Sequence, residues 1–236
     1  MRILFIRHGQ TQANVDGALE TATPGPGLTS LGTRQAEAVP AALGDAGISA
    51  IYVSKLRRTH ETAAPLAAAL GLTPIELPGL HEIEAGSLEG LSDLESVRGY
   101  MGTVFGWGEG HLDRAMPGGL DGTAFFSRFD ADVAHIVASH AADDTVVVVS
   151  HGAAIRVWTG SRVANLGEEF TAENRLDNTA VVVVDGSPES GWTALSWGGV
   201  PIGGAALNDP GAEDVIGETV DEPAAETSTA KTSTES

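Results

Sequence analysis

Four short stretches of this chain hold residues that could do chemistry together. In order they are Arg7-His8-Gly9-Gln10-Thr11, Ser54-Lys55-Leu56-Arg57-Arg58, Leu80-His81-Glu82-Ile83-Glu84 and Ser150-His151-Gly152. They offer fixed guanidinium charges, two imidazoles each followed by a glycine, and a choice of carboxyl groups. Arginines beside the histidines would repel a cation, and no His-x-His, His-Glu-x-x-His or clustered aspartate pattern points to a metal site. Cysteine is absent, which excludes thiolate ligands, cysteine nucleophiles and disulfides. What remains is chemistry by arginine, histidine and carboxylate on a small ligand.

Each stretch follows a run that reads as a strand. Residues 3–6 and 146–149 are continuous apolar runs, as expected of parallel strands buried on both faces. Residues 48–53 and 74–77 read as two more strands. Open α/β sheets bind ligands beyond the carboxyl ends of their strands, so one crevice would receive all four stretches. Helices are expected from about residue 28 to 43, 55 to 70, 122 to 141 and 152 to 163. Thr29 or Ser30 caps the first, and Pro40 should kink or split it. The alternation of strand and helix implies a parallel sheet with right-handed crossovers. Residues 180–184 and 193–197 would add a hairpin at one sheet edge. Residues 87–121 mix glycine and aromatics without a clear period and read as an inserted cap of short helices.

Composition narrows the class further. With 236 residues and 42% apolar content, a single α/β domain over residues 1–207 can bury a sizeable core. The net charge of −19 argues against nucleic acid and anionic membrane surfaces as partners. It says little about small anions, because a pocket answers to its local charges. No apolar run approaches the length of a membrane span, and the N-terminus lacks a signal-peptide pattern, so a cytoplasmic location is expected. Residues 208–236 carry eight Asp or Glu against one lysine, and this acidic tail is expected to be disordered.

Arg7-His-Gly-Gln-Thr, Ser-x-Leu-x-Arg58, Glu82 and Ser-His151-Gly, in that order, resemble the histidine phosphatase superfamily, often called the phosphoglycerate mutase family. The resemblance covers about residues 1–200. It implies a three-layer α/β/α sandwich with a mostly parallel central sheet, and catalysis without a metal or other cofactor. On that resemblance His8 is the nucleophile that holds a phosphoryl group covalently, and Arg7, Arg58 and His151 clamp the phosphoryl oxygens. Asn14 matches a phosphate-contacting asparagine, with Thr11 and Gly152 as further phosphate-binding positions. Glu82 would be the general acid and base, with Glu84 its rival; Arg57 is the rival to Arg58 if the helix register differs.

Departures from the family pattern bear on the reaction. Gln10-Thr-Gln-Ala-Asn14 and His81-Glu-Ile-Glu-Ala-Gly86 differ from the sugar-phosphate mutase versions, and both differences point to a phosphatase. Leu120 stands where many relatives have a carboxylate, so that substrate contact is not assumed. The expected activity is hydrolysis of a small phosphorylated metabolite by a monomer or homodimer. A cofactor-primed mutase is the alternative, and a catalytically idle phospholigand-binding protein a third.

Overall fold

The run Ile3–Ile6 lies inside β1 (Arg2–Arg7), near the middle of a six-stranded sheet. The computed structural model describes residues 1–217. In it β2 (Ile48–Val53), β3 (Ile75–Glu76), β4 (Thr145–Ser150), β5 (Val181–Ser187) and β6 (Gly191–Trp197) complete the order β3-β2-β4-β1-β5-β6. The first four strands of that order run parallel, whereas β5 and β6 add antiparallel at one edge, as the expected hairpin does.

Alternation along the strands builds two cores. Ile3, Phe5, Tyr52, Val146 and Val148 join one apolar cluster; Leu4, Ile6, Ile51, Val53, Val147 and Val149 join the other. The second is covered by α2 (Ser30–Leu43) and α3 (Arg57–Leu70) through Val39, Ala63 and Leu66. The first is covered by α4 (Leu94–Gly108), α5 (Gly122–Ala138) and α6 (Gly152–Arg162), with Trp107, Phe129 and Trp158 among its largest buried side chains. Two short helices, α1 (Gln12–Val15) and α7 (Glu168–Glu173), complete the set. The architecture is the three-layer α/β/α sandwich anticipated above.

Three sequence expectations are corrected. Pro40 does not divide its helix: Ser30–Leu43 is one α-helix, capped by the Thr29 side chain on the Gly32 N–H at 3.0 Å. The insertion over residues 87–121 is mainly one 15-residue helix, α4, rather than several short ones. Aromatic side chains at irregular spacing hid its period, yet Tyr100, Val104 and Trp107 all point into the core. Finally, residues 208–217 do not behave as a solvated tail. They fold back across the carboxyl ends of the strands, pinned by the Gln10 amide donating to Asp209 at 2.9 Å and the Leu176 N–H donating to the Gly217 carbonyl at 2.9 Å. The rest of the acidic segment, 218–236, lies outside the described residues.

The start of α2 presses against the chain leaving β1. A Cβ on Gly9 would sit 2.8 Å from the Gly32 carbonyl oxygen, and one on Gly32 would overlap the Gln10 backbone. Only two glycines allow this approach, and Gly9 adjoins His8. Gly32→Ala is expected to cost about 1–3 kcal/mol through overpacking. The check is a fall in urea midpoint at constant m, accompanied by loss of activity as the Gln10 backbone is pushed aside.

Candidate active site

Register places the two histidines. β1 and β4 pair in parallel with Arg7 opposite Ser150, so the next residues, His8 and His151, emerge side by side with ring centroids 5.2 Å apart. The His8 backbone N–H donates to the Ser150 carbonyl at 3.0 Å, extending the ladder by one residue. Nδ1 of His8 lies 2.8 Å from the Gly9 carbonyl. A carbonyl only accepts, so Nδ1 carries the proton and Nε2 keeps its lone pair. The Gly9 N–H in turn donates to Thr62 Oγ1 at 2.9 Å, tying the turn to α3.

His151 is held from the other ring nitrogen. Its Nε2 pairs with Ser54 Oγ at 2.7 Å, at the end of β2, while its buried Nδ1 has no partner among the described residues. Burial, reinforced by Arg58 and Arg7, holds the His8 imidazole well below its ordinary value. Burial, the Arg58 charge and the neighbouring His8 ring do the same to His151. Both rings are therefore neutral near pH 7.

Arg58 enters from the first turn of α3 and is 3% exposed. Its Nη2 donates to the Glu20 carbonyl at 3.2 Å, and Nε and Nη1 are buried without partners among the described residues. Burial lowers its pKa to about 10, against the raising effect of Glu82 and Glu20, so it remains a cation at neutral pH. The Arg57 side chain is instead 63% exposed and paired with Glu61 at 2.6 Å. Helix register thus separates the two arginines.

Glu82 is buried at the start of α6. One carboxyl oxygen accepts from the Ile83 and Ala154 N–H groups at 2.9 Å each, and the other from Ala153 at 3.2 Å. These donors favour the anion, as does Arg58, but burial outweighs them and raises the pKa. Glu84 lies outside the pocket, its carboxylate bonded to His81 Nε2 at 2.5 Å and near Arg128 at 3.5 Å. Burial opposes these contacts, yet they pull Glu84 down to about 2.

Arg7 and Asn14 complete the pocket wall. The Arg7 guanidinium donates to the Leu176 carbonyl at 2.9 Å and grips both oxygens of Asp214, at 2.6 and 2.7 Å. Burial works against the charge on Arg7, and the Asp214 carboxylate more than restores it, so its pKa is raised. Asn14 Nδ2 also donates to Asp214, at 3.1 Å, while its Oδ1 accepts from the Thr11 N–H at 2.9 Å. Thr11 caps α1, its hydroxyl paired with Asn14, and lines the same pocket. Gly152 opens α6, where a Cβ would meet Ile216 at 2.6 Å and Arg7 Nε at 3.0 Å. Arg7, His8, Asn14, Glu20, Arg58 and Glu82 line one pocket, closed on one side by Ile216. Among the described residues no cluster of three or more His, Asp or Glu could hold a metal ion.

Several of these groups carried no sequence signal. Asp214 and Ile216 come from a stretch whose composition reads as solvated. Arg128 sits mid-helix, yet donates to the carbonyls of Gly79, His81 and Glu82 at 2.5 to 2.8 Å, clamping the loop that carries Glu82.

A family model described as the histidine phosphatase superfamily (branch 1) matches residues 3–199. The chain belongs to that superfamily. It is 40% identical over 220 residues to the PE-PGRS family protein PE_PGRS11 of Mycobacterium tuberculosis (strain ATCC 25618 / H37Rv), covering 86% of this chain but only 37% of that longer protein. It is 30% identical over 202 residues to the "Probable phosphoglycerate mutase GpmB" of Enterobacter sp. (strain 638), covering 84% of this chain and 90% of the relative. Among solved structures, a mycobacterial glucosyl-3-phosphoglycerate phosphatase complexed with VO3 superimposes with a TM-score of 0.70 at 27% identity, over 84% of this chain and 98% of its own. The alpha-ribazole phosphatase of Shigella flexneri superimposes at 0.65 and 25% identity, over 84% and 96%.

Two outcomes test the geometry. By 15N NMR, His8 and His151 are expected to remain neutral at pH 6.5, where a free imidazole is about half protonated. Arg128→Leu is expected to destabilise the fold, since each buried carbonyl left unpaired costs about 1–3 kcal/mol. The same change should lower kcat more than KM, because it frees the Glu82 loop without touching the pocket lined by Arg7, His8 and Arg58.

Proposed function

We propose that the protein is a metal-independent phosphomonoester hydrolase working through a phosphohistidine at His8. The observation that carries this reading is the His8 ring itself, whose Nδ1 proton is fixed on the Gly9 carbonyl, leaving Nε2 unprotonated in a pocket also lined by Arg58 and Glu82. In the first step Nε2 attacks phosphorus and the bond to the leaving alcohol breaks. Glu82 gives its proton to that alcohol oxygen, which a buried carboxyl with a raised pKa is suited to do. Arg7, Arg58, Asn14 and His151 face the phosphoryl oxygens where negative charge develops. In the second step the Glu82 carboxylate takes a proton from water, and the water oxygen attacks phosphorus. The N–P bond breaks, its electron pair returns to Nε2, and inorganic phosphate leaves with Glu82 protonated again.

The substrate class we propose is a small phosphorylated metabolite, such as a sugar phosphate or phospho-acid. The phosphatase names of the structural relatives support hydrolysis. The mutase name among the sequence relatives supports the second reading, a cofactor-primed transfer. Incubation with 3-phosphoglycerate and a bisphosphoglycerate primer separates the two: a phosphatase releases inorganic phosphate, whereas a mutase conserves organic phosphate.

His8→Ala is expected to abolish phosphate release from p-nitrophenyl phosphate across pH 5 to 8; undiminished turnover refutes the mechanism. Glu82→Gln is expected to cost about 10² to 10⁴ in kcat/KM on alkyl phosphates, and much less in kcat/KM on p-nitrophenyl phosphate, whose leaving group needs no proton; kcat should fall on both, because the second step loses its base. The pH profile of kcat/KM should follow the two shifts. Its acid limb, from protonation of His8, should fall below the ordinary histidine value, and its basic limb, from loss of the Glu82 proton, above the ordinary carboxylate value.

A further inference from the structure

The chain sets an anion of its own against two residues that line this pocket, Arg7 and Asn14. Asp214 presents a carboxylate to Arg7 in a two-pronged pair and takes a third hydrogen bond from Asn14. These are two of the groups assigned above to a phosphoryl group, and their geometry is the fork that binds carboxylate and phosphate alike. Arg58 Nε and Nη1 and His151 Nδ1 are buried without partners among the described residues. Asp214 thus takes up donors of Arg7 and Asn14, while Arg58, lining the same pocket as those two, keeps two nitrogens unpartnered among the described residues. Ile216, two residues on, is buried against the same pocket, next to Gly152.

We infer that residues 209–217 form an internal pseudosubstrate strap, in which the Asp214 carboxylate stands in for the phosphoryl group and must leave Arg7 and Asn14 before a phosphate ester can bind fully. This rests on the reading of the pocket as a phosphate site. The segment is built to be displaced. It has no helix or strand between Asp209 and Gly217, and Ile216 is its one buried apolar side chain. Its anchors are polar: Gln10 on Asp209, the Glu213 N–H on the Val15 carbonyl at 3.3 Å, and Arg156 on the Ile216 carbonyl at 2.8 Å. A phosphate ester carries more charge than one carboxylate and can also engage Arg58 and His151, which Asp214 does not touch. The exchange therefore favours the ester, at an affinity reduced by the fraction of molecules in which the strap is seated.

The test uses the full chain and orthovanadate or inorganic phosphate as the probe, followed by calorimetry and by amide exchange of residues 209–217. In the unaltered protein, saturating orthovanadate should speed exchange across the strap. Asp214→Ala and Asp214→Asn should bind phosphate about tenfold more tightly, the factor expected if the pocket is open in roughly a tenth of molecules. Their KM should fall in step while kcat stays the same. A strap that keeps its protection under saturating orthovanadate would overturn the inference, as would variants that bind phosphate no more tightly than the parent. Asp214 would then be a permanent counter-ion of Arg7. Absence of phosphate binding by parent and variants alike would instead overturn the phosphate-site reading, and the strap with it.

Discussion

The parallel pairing of β1 with β4 is the constraint on which the site depends. Because Arg7 lies opposite Ser150, the two strands end at the same level and deliver His8 and His151 to one place. A slip of one residue would turn Ile3 and Phe5 to the face now packed on α2 and α3, so the apolar pattern of the strands enforces the register that pairs the two histidines. Neighbouring strands then hand over the rest. Ser54 ends the chain leaving β2 and holds His151, and the loop after β3 brings Glu82 beneath the first turn of α6. The His8 ring is fixed by a backbone carbonyl, and the His151 ring by the buried Ser54 hydroxyl.

Burial sets the chemistry of these groups. Two guanidinium ions, two imidazoles and a carboxyl group are buried close together, so each alters its neighbours. Lost hydration and the arginines keep the histidines neutral, and the same burial raises the pKa of Glu82 despite three N–H donors. Glu84, two residues along the same loop, shows the contrast. Half-exposed and bonded to His81 and Arg128, it is a committed anion. On the proposed mechanism the division of labour between the two carboxyl groups follows from environment alone.

Much of this was legible in the residues. Strand ends carrying Arg-His-Gly and Ser-His-Gly, with Arg58 at a helix start, announced both the sheet and the crevice. Boundaries set by mixed composition were not. Asn208–Gly217 reads as solvated because Asp, Pro and Gly dominate it, and composition cannot register that Arg7 is a buried cation in want of an anion. Helix α4 escaped notice for the opposite reason: its glycines and scattered aromatics blur the period, although Tyr100 and Trp107 anchor it in the core. Arg128 is a third case. A lone arginine on an amphipathic helix reads as surface charge until the loop it clamps is seen beside it.

The most direct test of the account is to trap the covalent intermediate. Protein mixed with a 32P-labelled phosphate ester should be quenched in alkali within the first turnover and digested, and the labelled peptide sequenced. The account predicts label on the peptide containing His8, stable in alkali and released by acid, as a phosphoimidazole is. Phosphate release at an undiminished rate, with no label on His8 at any time, would contradict it.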